Sequence, residues 1–498
     1  MQLRTAKIRL DAGSLSAKDY QIYSSVILLL PEGAAITSLP FGAELRKRME
    51  RAEYKLGDAK PFVTDLPNEA GTRLALATVS KTASAFERLT LARKLVAAQF
   101  DPRPDRLAIS AAADRPEMAA MAEAVVAAAL AADFELPTYK SKRERPRALR
   151  EIAVHGTGRL DAARTIATAR GNNLARYLTA LPPNELTPGT YRRHVERLAR
   201  EHGWKTEFVD LAKLRRRGAG AFVAVAQGSP DPDAGILRVR YAPKKKPNGP
   251  LLALVGKGIC FDTGGTNLKS AKHMHGMHED MEGSAVALGT LLALSELKVD
   301  FPVDCWLALA QNHIGPKAYR QNEVITAANG TTIEIVHTDA EGRMVLADTL
   351  HFASSEKPRV VIDYATLTGA CIGALSTRLS GAFTNRPKLI PVLQQAGEES
   401  GERVWPFPLP DDFRESLKSD VADIKQCTLD NDADHILAAL FLKRFLANDP
   451  DWVHVDLASG NHKGGLAQVP TDITGFGVRL TLNLLLDQKI LGKSSSAS

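Results

Sequence analysis

Charged side chains occupy every second position in part of the segment HTDAEGRMVLADTL, which spans residues 337–350. Asp339, Glu341 and Arg343 stand two positions apart, and an apolar run follows them. Carboxylates bind divalent cations through hard oxygen ligands, and a guanidinium holds a planar anion with paired hydrogen bonds. A solvated turn would also explain the alternation, so the rest of the chain has to distinguish a surface segment from a reaction centre.

Further carboxylates flank other apolar runs. Asp262 comes directly after LLALVGKGICF, and Asp280 precedes SAVALGTLLALSEL, with Lys269 between the two. Helix N-termini favour negative side chains, which would explain each carboxylate singly. Several buried carboxylates at one edge repel each other unless cations neutralise them. Together they indicate a carboxylate site for hard or borderline divalent ions.

Three histidines offer an alternative set of ligands: His273, His275 and His278. On a helix, positions 275 and 278 share a face whereas 273 and 275 do not, and no further ligand follows at a zinc spacing. We interpret them as pocket-rim or subunit-contact residues. The sequence also lacks a G-x-S-x-G elbow, a complete phosphate-binding loop and an H-E-x-x-H pair.

The composition is that of a globular protein, with 498 residues, 44% hydrophobic and 24% charged. The net charge of +7 is small for this length, but basic residues cluster in KSKRERPRALR, Arg215–Arg217 and Lys244–Lys246. We interpret these clusters as solvated surface and keep DNA binding as the alternative. The four cysteines (Cys260, Cys305, Cys371 and Cys427) show no C-x-x-C pairing and predict free thiols of a reducing compartment.

No targeting or membrane signal is apparent in the sequence. The N-terminus lacks the apolar stretch of a signal peptide, and the Ala-rich run at 119–132 is too short to cross a bilayer. We therefore predict a cytoplasmic protein that has no membrane partner.

Short apolar runs alternate with helical stretches along most of the chain, which predicts an α/β fold. The pattern of residues 1–155 predicts a smaller N-terminal α/β domain. Apolar residues at helical spacing, followed by prolines, predict a connecting helix at 156–182. Five runs within 183–490 (LLALVGKGICF, PVDCWLALA, TTIEIVH, PRVVIDYATL and WVHVDLA) predict strands of a mixed, mostly parallel sheet flanked by helices. Residues 491–498 predict a disordered tail. Ligands bind such sheets beyond the carboxyl ends of the strands.

Three motifs carry a resemblance to a known family: VGKGICFDTGGTNLK (255–269), MHEDMEGSA (277–285) and HTDAEGRM (337–344). They closely resemble motifs of the leucyl aminopeptidases, the two-metal M17 cytosol aminopeptidases. The order and the separations of the key residues also fit. The resemblance implies an enzyme that releases N-terminal amino acids from short peptides and assembles into a homo-hexamer.

The resemblance implies two divalent metal ions per subunit, manganese or zinc first, with cobalt or magnesium as alternatives. It implies five metal ligands: Lys257, Asp262, Asp280, Asp339 and Glu341. Asp262 and Glu341 would bridge the two ions. A lysine ligates a metal only when it is neutral, and an adjacent dication lowers its pKa.

The resemblance also implies the catalytic groups. Lys269 would stabilise the negative charge that develops on the substrate carbonyl, and Arg343 would hold a bicarbonate ion that acts as general base. The pocket for the first side chain would be lined by Met277, Thr366 and Gly369. A DNA-binding regulatory role, found in some bacterial relatives, is the alternative. A phosphoesterase is disfavoured because histidine ligands are lacking.

Several positions depart from the family pattern. His337 stands where asparagine is usual. Glu282 stands where a small residue is usual, and it either alters the metal preference or faces solvent. The segment Ser459–His462 replaces an apolar pocket residue, which predicts a more polar pocket than one selective for leucine.

Overall fold

The computed structural model describes residues 3–58, 60–142, 148–244, 251–430 and 432–492. Within these ranges the chain forms two compact units. The first is built from the chain up to Arg170 together with Glu398–Gly401 and Lys463–Asp472, and the second from the remaining described residues. The domain limits predicted at 155, 182 and 490 stay predictions, and the predicted tail lies outside the described residues except for 491 and 492.

Six strands form the sheet of the first unit, in the order β1-β6-β5-β2-β4-β3 once they are numbered along the chain. The strands are β1 (Lys7–Asp11), β2 (Ser25–Pro31), β3 (Phe62–Asp65), β4 (Arg73–Val79), β5 (Arg106–Ala111) and β6 (Glu151–His155). All neighbouring strands run parallel except β3, which pairs antiparallel with β4.

Helices cover both faces of this sheet, so β2 is buried at every residue. Ile27 and Leu29 pack in the same core as the helices at 85–99 and 116–133, whereas Val26 and Leu28 pack with the helix at 42–51. The helices are α1 (Gly42–Arg51), α2 (Ala85–Gln99) and α3 (Pro116–Asp133), with short 3-10 turns at Asp19–Gln21 and Ile36–Ser38. The next helix, α4 (Ala162–Thr179), contains the boundary between the two units.

Eleven further strands lie in the described part of the second unit. They are β7 (Lys205–Asp210), β8 (Gly235–Tyr241), β9 (Leu252–Asp262), β10 (Val303–Asn312), β11 (Val324–Thr326), β12 (Thr332–Glu334), β13 (Val360–Ala365), β14 (Ser380–Thr384), β15 (Val404–Pro406), β16 (Ile424–Lys425) and β17 (Asp451–Asp456). Eight form one sheet in the order β15-β14-β17-β13-β9-β10-β8-β7, and β11, β12 and β16 form a small separate sheet. The four central strands, β17, β13, β9 and β10, are mutually parallel.

The helices of the second unit surround these sheets. They are α5 (Pro188–His202), α6 (Leu211–Arg216), α7 (Gly220–Ala226), α8 (Ala271–Met274), α9 (Glu282–Glu296), α10 (Glu341–Ser355), α11 (Gly369–Leu375), α12 (Ile390–Ser400), α13 (Asp434–Lys443) and α14 (Val478–Leu482). The last three residues of α12 belong to the first unit. Short 3-10 turns span Met277–Glu279, Ser376–Arg378, Pro387–Leu389 and Asp411–Leu417, and a π-helical turn spans Asn483–Asp487.

Helices α9 and α10 lie on opposite faces of the central strand β9. An added Cβ at Gly256 would lie 2.3 Å from Ser284 Cα in α9, and one at Gly342 in α10 would lie 2.7 Å from Lys257 Cε. Successive strand residues point to opposite faces, so neighbouring residues 256 and 257 meet different helices. Both helices begin near the carboxyl end of β9, which brings their first turns to one edge of the sheet.

The predicted fold class, a mixed and mostly parallel α/β arrangement flanked by helices, is confirmed. Four of the predicted buried runs form the central strands, but the prediction for TTIEIVH is wrong. Only Thr332–Glu334 of this run form a strand, β12 of the small sheet, and Ile333 is the buried residue of that strand. Its apolar residues alternate with polar ones, so it can bury only one face.

No helix in the described ranges is both long and apolar enough to cross a membrane.

Candidate metal centre and active site

Five predicted ligands meet at the carboxyl end of β9. Lys257 lies within β9 and Asp262 is its last residue. Asp280 follows the 3-10 turn that leads into α9, and Glu341 is the first residue of α10. Asp339 stands in the turn directly before α10. The tertiary structure therefore brings the predicted ligands together at a strand end, as expected from the sequence.

Three carboxylates form a buried cluster. One oxygen from each of Asp262, Asp280 and Glu341 lies within 4.8 Å of the other two, and all three residues are buried. Asp280 Oδ2 is buried without a hydrogen-bond partner. Burial raises the pKa of Asp280 well above its usual value, and the charges of Glu341 and Asp262 add to this effect. Buried carboxylates that repel each other, one of which has an oxygen without a hydrogen-bond partner, suit a divalent cation, so the residues fit a metal site.

Lys257 lies inside this cluster. Its Nζ is 2.7 Å from Asp280 Oδ1 and 2.8 Å from Glu341 Oε1, and it donates a hydrogen bond of 2.9 Å to Thr366 O. Burial opposes its charge, but the carboxylates outweigh burial and raise its pKa. The absence of a side chain at Gly342 leaves the space that the lysine stem occupies.

Lys269 and Asp339 form a second group on the same side. Lys269 Nζ lies 2.9 Å from Asp262 Oδ2 and also contacts Asp339 Oδ1. Burial, together with the charges of Asp262 and Glu341, raises the pKa of Asp339 to about 7. The carboxylates outweigh the burial of Lys269 and raise its pKa as well. Asp262 therefore contacts Lys269 and also belongs to the carboxylate cluster around Lys257.

Two residues that sequence reasoning missed hold the ligand Asp262 and the turn that carries Asp339. Asn312 donates from Nδ2 to Asp262 Oδ1 at 2.8 Å and to Thr338 O at 3.0 Å, and Tyr319 donates to the same carbonyl at 2.7 Å. Asn312 pairs with Asp262 in register at the end of β10. One signal in the sequence could have identified Asn312, because it is a polar residue at the end of an apolar strand.

Arg343 makes different contacts from its neighbours in the motif. Its Nη1 donates to Gln426 O at 3.1 Å, and its Nη2 lies 2.8 Å from both oxygens of Asp434. Glu341 and Arg343 both belong to α10, where residues two apart point about 200° from each other. This separation explains why Glu341 joins the carboxylate cluster while Arg343 pairs with Asp434, which sequence reasoning missed.

A cavity of about 780 Å³ opens onto the cluster. The three predicted substrate residues, Met277, Thr366 and Gly369, line this cavity together with all five predicted ligands, Lys269 and Arg343. Ile372, Leu457 and Ala458 also line it. None of Ser459–His462 is among its described lining residues, so the prediction of a more polar pocket from that segment gains no support.

The histidines lie beside the cluster. His273 and His275 line the cavity, and neither belongs to the group of potential metal ligands found among the described residues. The nitrogen His337 Nδ1 accepts a hydrogen bond of 3.2 Å from the backbone N–H of Asp339. Burial lowers the pKa of His337, which favours the neutral ring that this acceptor role requires. His337 therefore helps to hold the turn that carries Asp339.

Glu282 does not face solvent, so that alternative was wrong. The residue is buried in the first turn of α9, and burial raises its pKa well above the usual value. An added Cβ at Gly460 would lie 2.0 Å from Glu282 Oε2. The side chain is thus packed against the segment that follows β17.

Comparisons with known proteins identify the family of the chain. The family model described as cytosol aminopeptidase family, catalytic domain, matches residues 173–482. A probable cytosol aminopeptidase of Parasynechococcus marenigrum (strain WH8102) is 39% identical over 436 residues, which cover 86% of this chain and 84% of the relative.

Two solved structures are similar over nearly the whole chain. The bottromycin maturation enzyme BotP in complex with Mn has 33% identity and a TM-score of 0.80, covering 93% of this chain and 99% of that one. A tomato leucine aminopeptidase mutant has 26% identity and a TM-score of 0.83, covering 98% of each chain. The buried carboxylate cluster and these similarities lead to one conclusion: the chain belongs to the cytosol aminopeptidase family and is a metallo-exopeptidase of the leucyl aminopeptidase type.

Proposed function

We propose that this aminopeptidase releases the N-terminal amino acid from short peptides with two divalent metal ions held by Lys257, Asp262, Asp280, Asp339 and Glu341. The observation that carries the proposal is the buried group of Asp262, Asp280 and Glu341 at the end of β9, in which Asp280 Oδ2 lacks a hydrogen-bond partner. When bound, such ions polarise a carbonyl and make water a nucleophile at neutral pH.

We divide the ligands between two ions as the family resemblance implies. Lys257, Asp262, Asp280 and Glu341 would hold one, and Asp262, Asp339 and Glu341 the other. A cation bound among these carboxylates would oppose the charge of Lys257, which would then ligate as a neutral amine. Manganese or zinc is the first expectation, since the BotP structure contains Mn, and cobalt or magnesium are alternatives.

Lys269 supplies a fixed positive charge beside the scissile carbonyl. Its Nζ lies between Asp262 and Asp339, and its raised pKa keeps it protonated at neutral pH. A positive charge placed in advance where the carbonyl oxygen becomes negative lowers the barrier without reorganisation. Lys269 therefore acts on the transition state and is not needed to hold the metals.

The cavity determines which end of a peptide reacts. Met277, Thr366 and Gly369 would surround the first side chain. A bound divalent ion with an open position would take the free α-amine, which is present only at the N-terminus of a peptide. Cleavage would then proceed from that end, one residue at a time.

Bicarbonate remains an expectation for the anion bound to Arg343. The guanidinium is a planar donor suited to a carbonate-type ion. In the structure, however, the carboxylate of Asp434 contacts its Nη2. Any bicarbonate would therefore have to share Arg343 with Asp434 or displace it.

A panel of aminoacyl amides tests the proposed activity. The full chain is assayed with manganese, after treatment with a chelator, and after readdition of metal. We expect hydrolysis of several amides that the chelator abolishes and readded metal restores. Absence of chelator-sensitive release from every amide of the panel would refute the proposal.

We also propose a cytoplasmic homo-hexamer, with DNA binding as an additional or alternative role. Arg215–Arg217 at the end of α6 are exposed, while parts of the other two basic clusters lie outside the described residues. Phosphate contacts make DNA affinity fall steeply with salt. Duplex binding that weakens as salt rises would support the DNA role, and absence of binding at low salt would remove it.

A further inference from the structure

Arg343 already has a carboxylate partner that belongs to the protein. Both oxygens of Asp434 lie 2.8 Å from Nη2, and Nη1 donates to Gln426 O at 3.1 Å. The Arg343 side chain is 2% exposed and that of Asp434 is 14% exposed. Charge-assisted pairs of this kind are strong and short, and their burial removes the competition of water.

The third nitrogen of the Arg343 guanidinium, Nε, offers little to an anion from solution. The atom Nε is buried without a hydrogen-bond partner in the described part of the chain. A planar ion needs two adjacent N–H groups of the guanidinium to bind in the favoured paired geometry. Since Nη2 faces Asp434 and Nη1 faces Gln426, such an ion would have to displace the carboxylate. A group tethered to the chain has a high effective concentration in this competition.

The pair is connected to the turn that carries the proposed metal ligands. Gln426 donates from Nε2 to Ala340 O at 3.0 Å, and its Oε1 accepts from the backbone N–H of His337 at 3.2 Å. Asp434 is the first residue of α13 and lines the same cavity as Asp339. The carboxylate therefore lies at the active site and not on a remote surface.

We propose that Asp434 is the resident anion of Arg343 and takes the place that the family resemblance assigns to bicarbonate. A carboxylate has the same charge as bicarbonate and the same planar pair of oxygens. The inference rests on the proposed aminopeptidase function, and it implies that this enzyme works without free bicarbonate. Asp434 is a positioning residue here, since its observed contact is with Arg343.

The test compares Asp434→Ala and Asp434→Asn with wild type and with Asp432→Ala, which removes an exposed acid from the turn just before α13. Each full-length protein is loaded with stoichiometric manganese. The melting temperature and the rate of aminoacyl-amide hydrolysis are measured with added bicarbonate, formate or chloride at equal pH and ionic strength.

We expect wild type and Asp432→Ala to respond to none of these ions. Asp434→Ala should melt at a lower temperature and lose about 10- to 100-fold in rate, the usual effect of removing a group that orients a metal site. Bicarbonate or formate should restore part of both, because ligands that bind only the folded state raise its stability. Asp434→Asn should fold and lose rate, but its amide fills the space and prevents rescue.

The proposal would be overturned if bicarbonate raised the rate or the melting temperature of the wild type. It would also be overturned if Asp434→Ala kept the wild-type rate and stability, or if neither bicarbonate nor formate changed it. If no protein hydrolysed any amide, the proposed function would fail. The melting temperatures would still decide whether Asp434 occupies the anion position.

Discussion

At the scale of single residues, the site depends on charges that compensate one another at short range. Lys257 contacts Asp280 and Glu341, while Lys269 contacts Asp262 and Asp339. The two lysines nevertheless have separate proposed roles, one as a metal ligand and one as a charge beside the substrate. Substitutions should therefore separate loss of metal from loss of catalysis.

Glu341→Ala should lose metal and activity together. The variant removes a carboxylate that we assign to both ions, so metal per subunit should drop and kcat/KM should fall by more than about 100-fold, beyond the usual effect of outer groups. Elemental analysis and amide hydrolysis measure the two quantities, with Glu398→Ala as the control because Glu398 is exposed. Full metal occupancy in Glu341→Ala would contradict the assignment.

Lys269→Ala should keep its metal and lose rate. Removal of one group that stabilises a developing oxyanion costs about 10²- to 10³-fold in kcat. Lys317→Ala, which removes an exposed lysine, should behave like the wild type in the same assays. If Lys269→Ala lost metal in proportion to rate, the residue would be a structural partner of Asp262 and Asp339 instead.

At the scale of secondary-structure elements, Asp348 helps to position helix α10 and therefore the motif residues at its start. Its two carboxylate oxygens accept backbone hydrogen bonds from Phe222 at 2.8 Å and from Ala328 at 2.7 Å. Phe222 lies in the first turn of α7, whose free N–H groups favour a negative partner. Burial raises the pKa of Asp348 to about 7 in spite of these bonds.

The raised pKa of Asp348 makes stability depend on pH. Between its ordinary value of 3.8 and about 7 the folded state binds a proton that the unfolded state lacks. This contribution to stability is therefore present at low pH and is lost as pH rises toward 7. Asp348→Asn cannot titrate, so its deficit in unfolding free energy should be larger at pH 5 than at pH 8, by at most about 3 kcal/mol.

Denaturant unfolding of wild type and Asp348→Asn at both pH values measures this difference. Asp432→Asn provides the control, since Asp432 is exposed and its replacement should change stability by less than about 0.5 kcal/mol. A deficit that is the same at pH 5 and pH 8 would show that Asp348 does not titrate in this range.

At the scale of the whole molecule, several large apolar side chains of the second unit are exposed in a single chain. Val421 is 68% exposed, Leu429 is 66% exposed and Trp405 is 51% exposed. Exposed apolar side chains become buried when subunits associate through the surface that carries them. The proposed hexamer would provide neighbouring subunits to cover such side chains.

Light scattering after gel filtration tests the proposed assembly. We expect a mass near six times the chain mass of 53.8 kDa at micromolar concentration, in the metal-loaded protein. Removal of metal with a chelator should then abolish activity, and the same measurement shows whether the mass depends on metal. A monomer or dimer mass for the active, metal-loaded enzyme would contradict the hexamer.

Sequence patterns predicted much of the α/β fold because central strands must be apolar on both faces. LLALVGKGICF and PVDCWLALA became β9 and β10 for this reason, whereas TTIEIVH was wrong because its alternation suits one buried face. The motif residues also followed from the chain, since Asp262 and Glu341 stand at a strand end and a helix start that parallel topology brings together.

The sequence by itself determined the strand runs, the family and the residues able to bind metal, because burial patterns and short motifs are local. Only the tertiary structure decided the partners of those residues. Arg343 and Asp434 are 91 positions apart, and Asn312 and Asp262 are 50 apart. Contacts of about 3 Å between such positions arise from the packing of helices and strands. No spacing along the chain encodes them, so Asp434 emerged only when α10 and α13 were seen side by side.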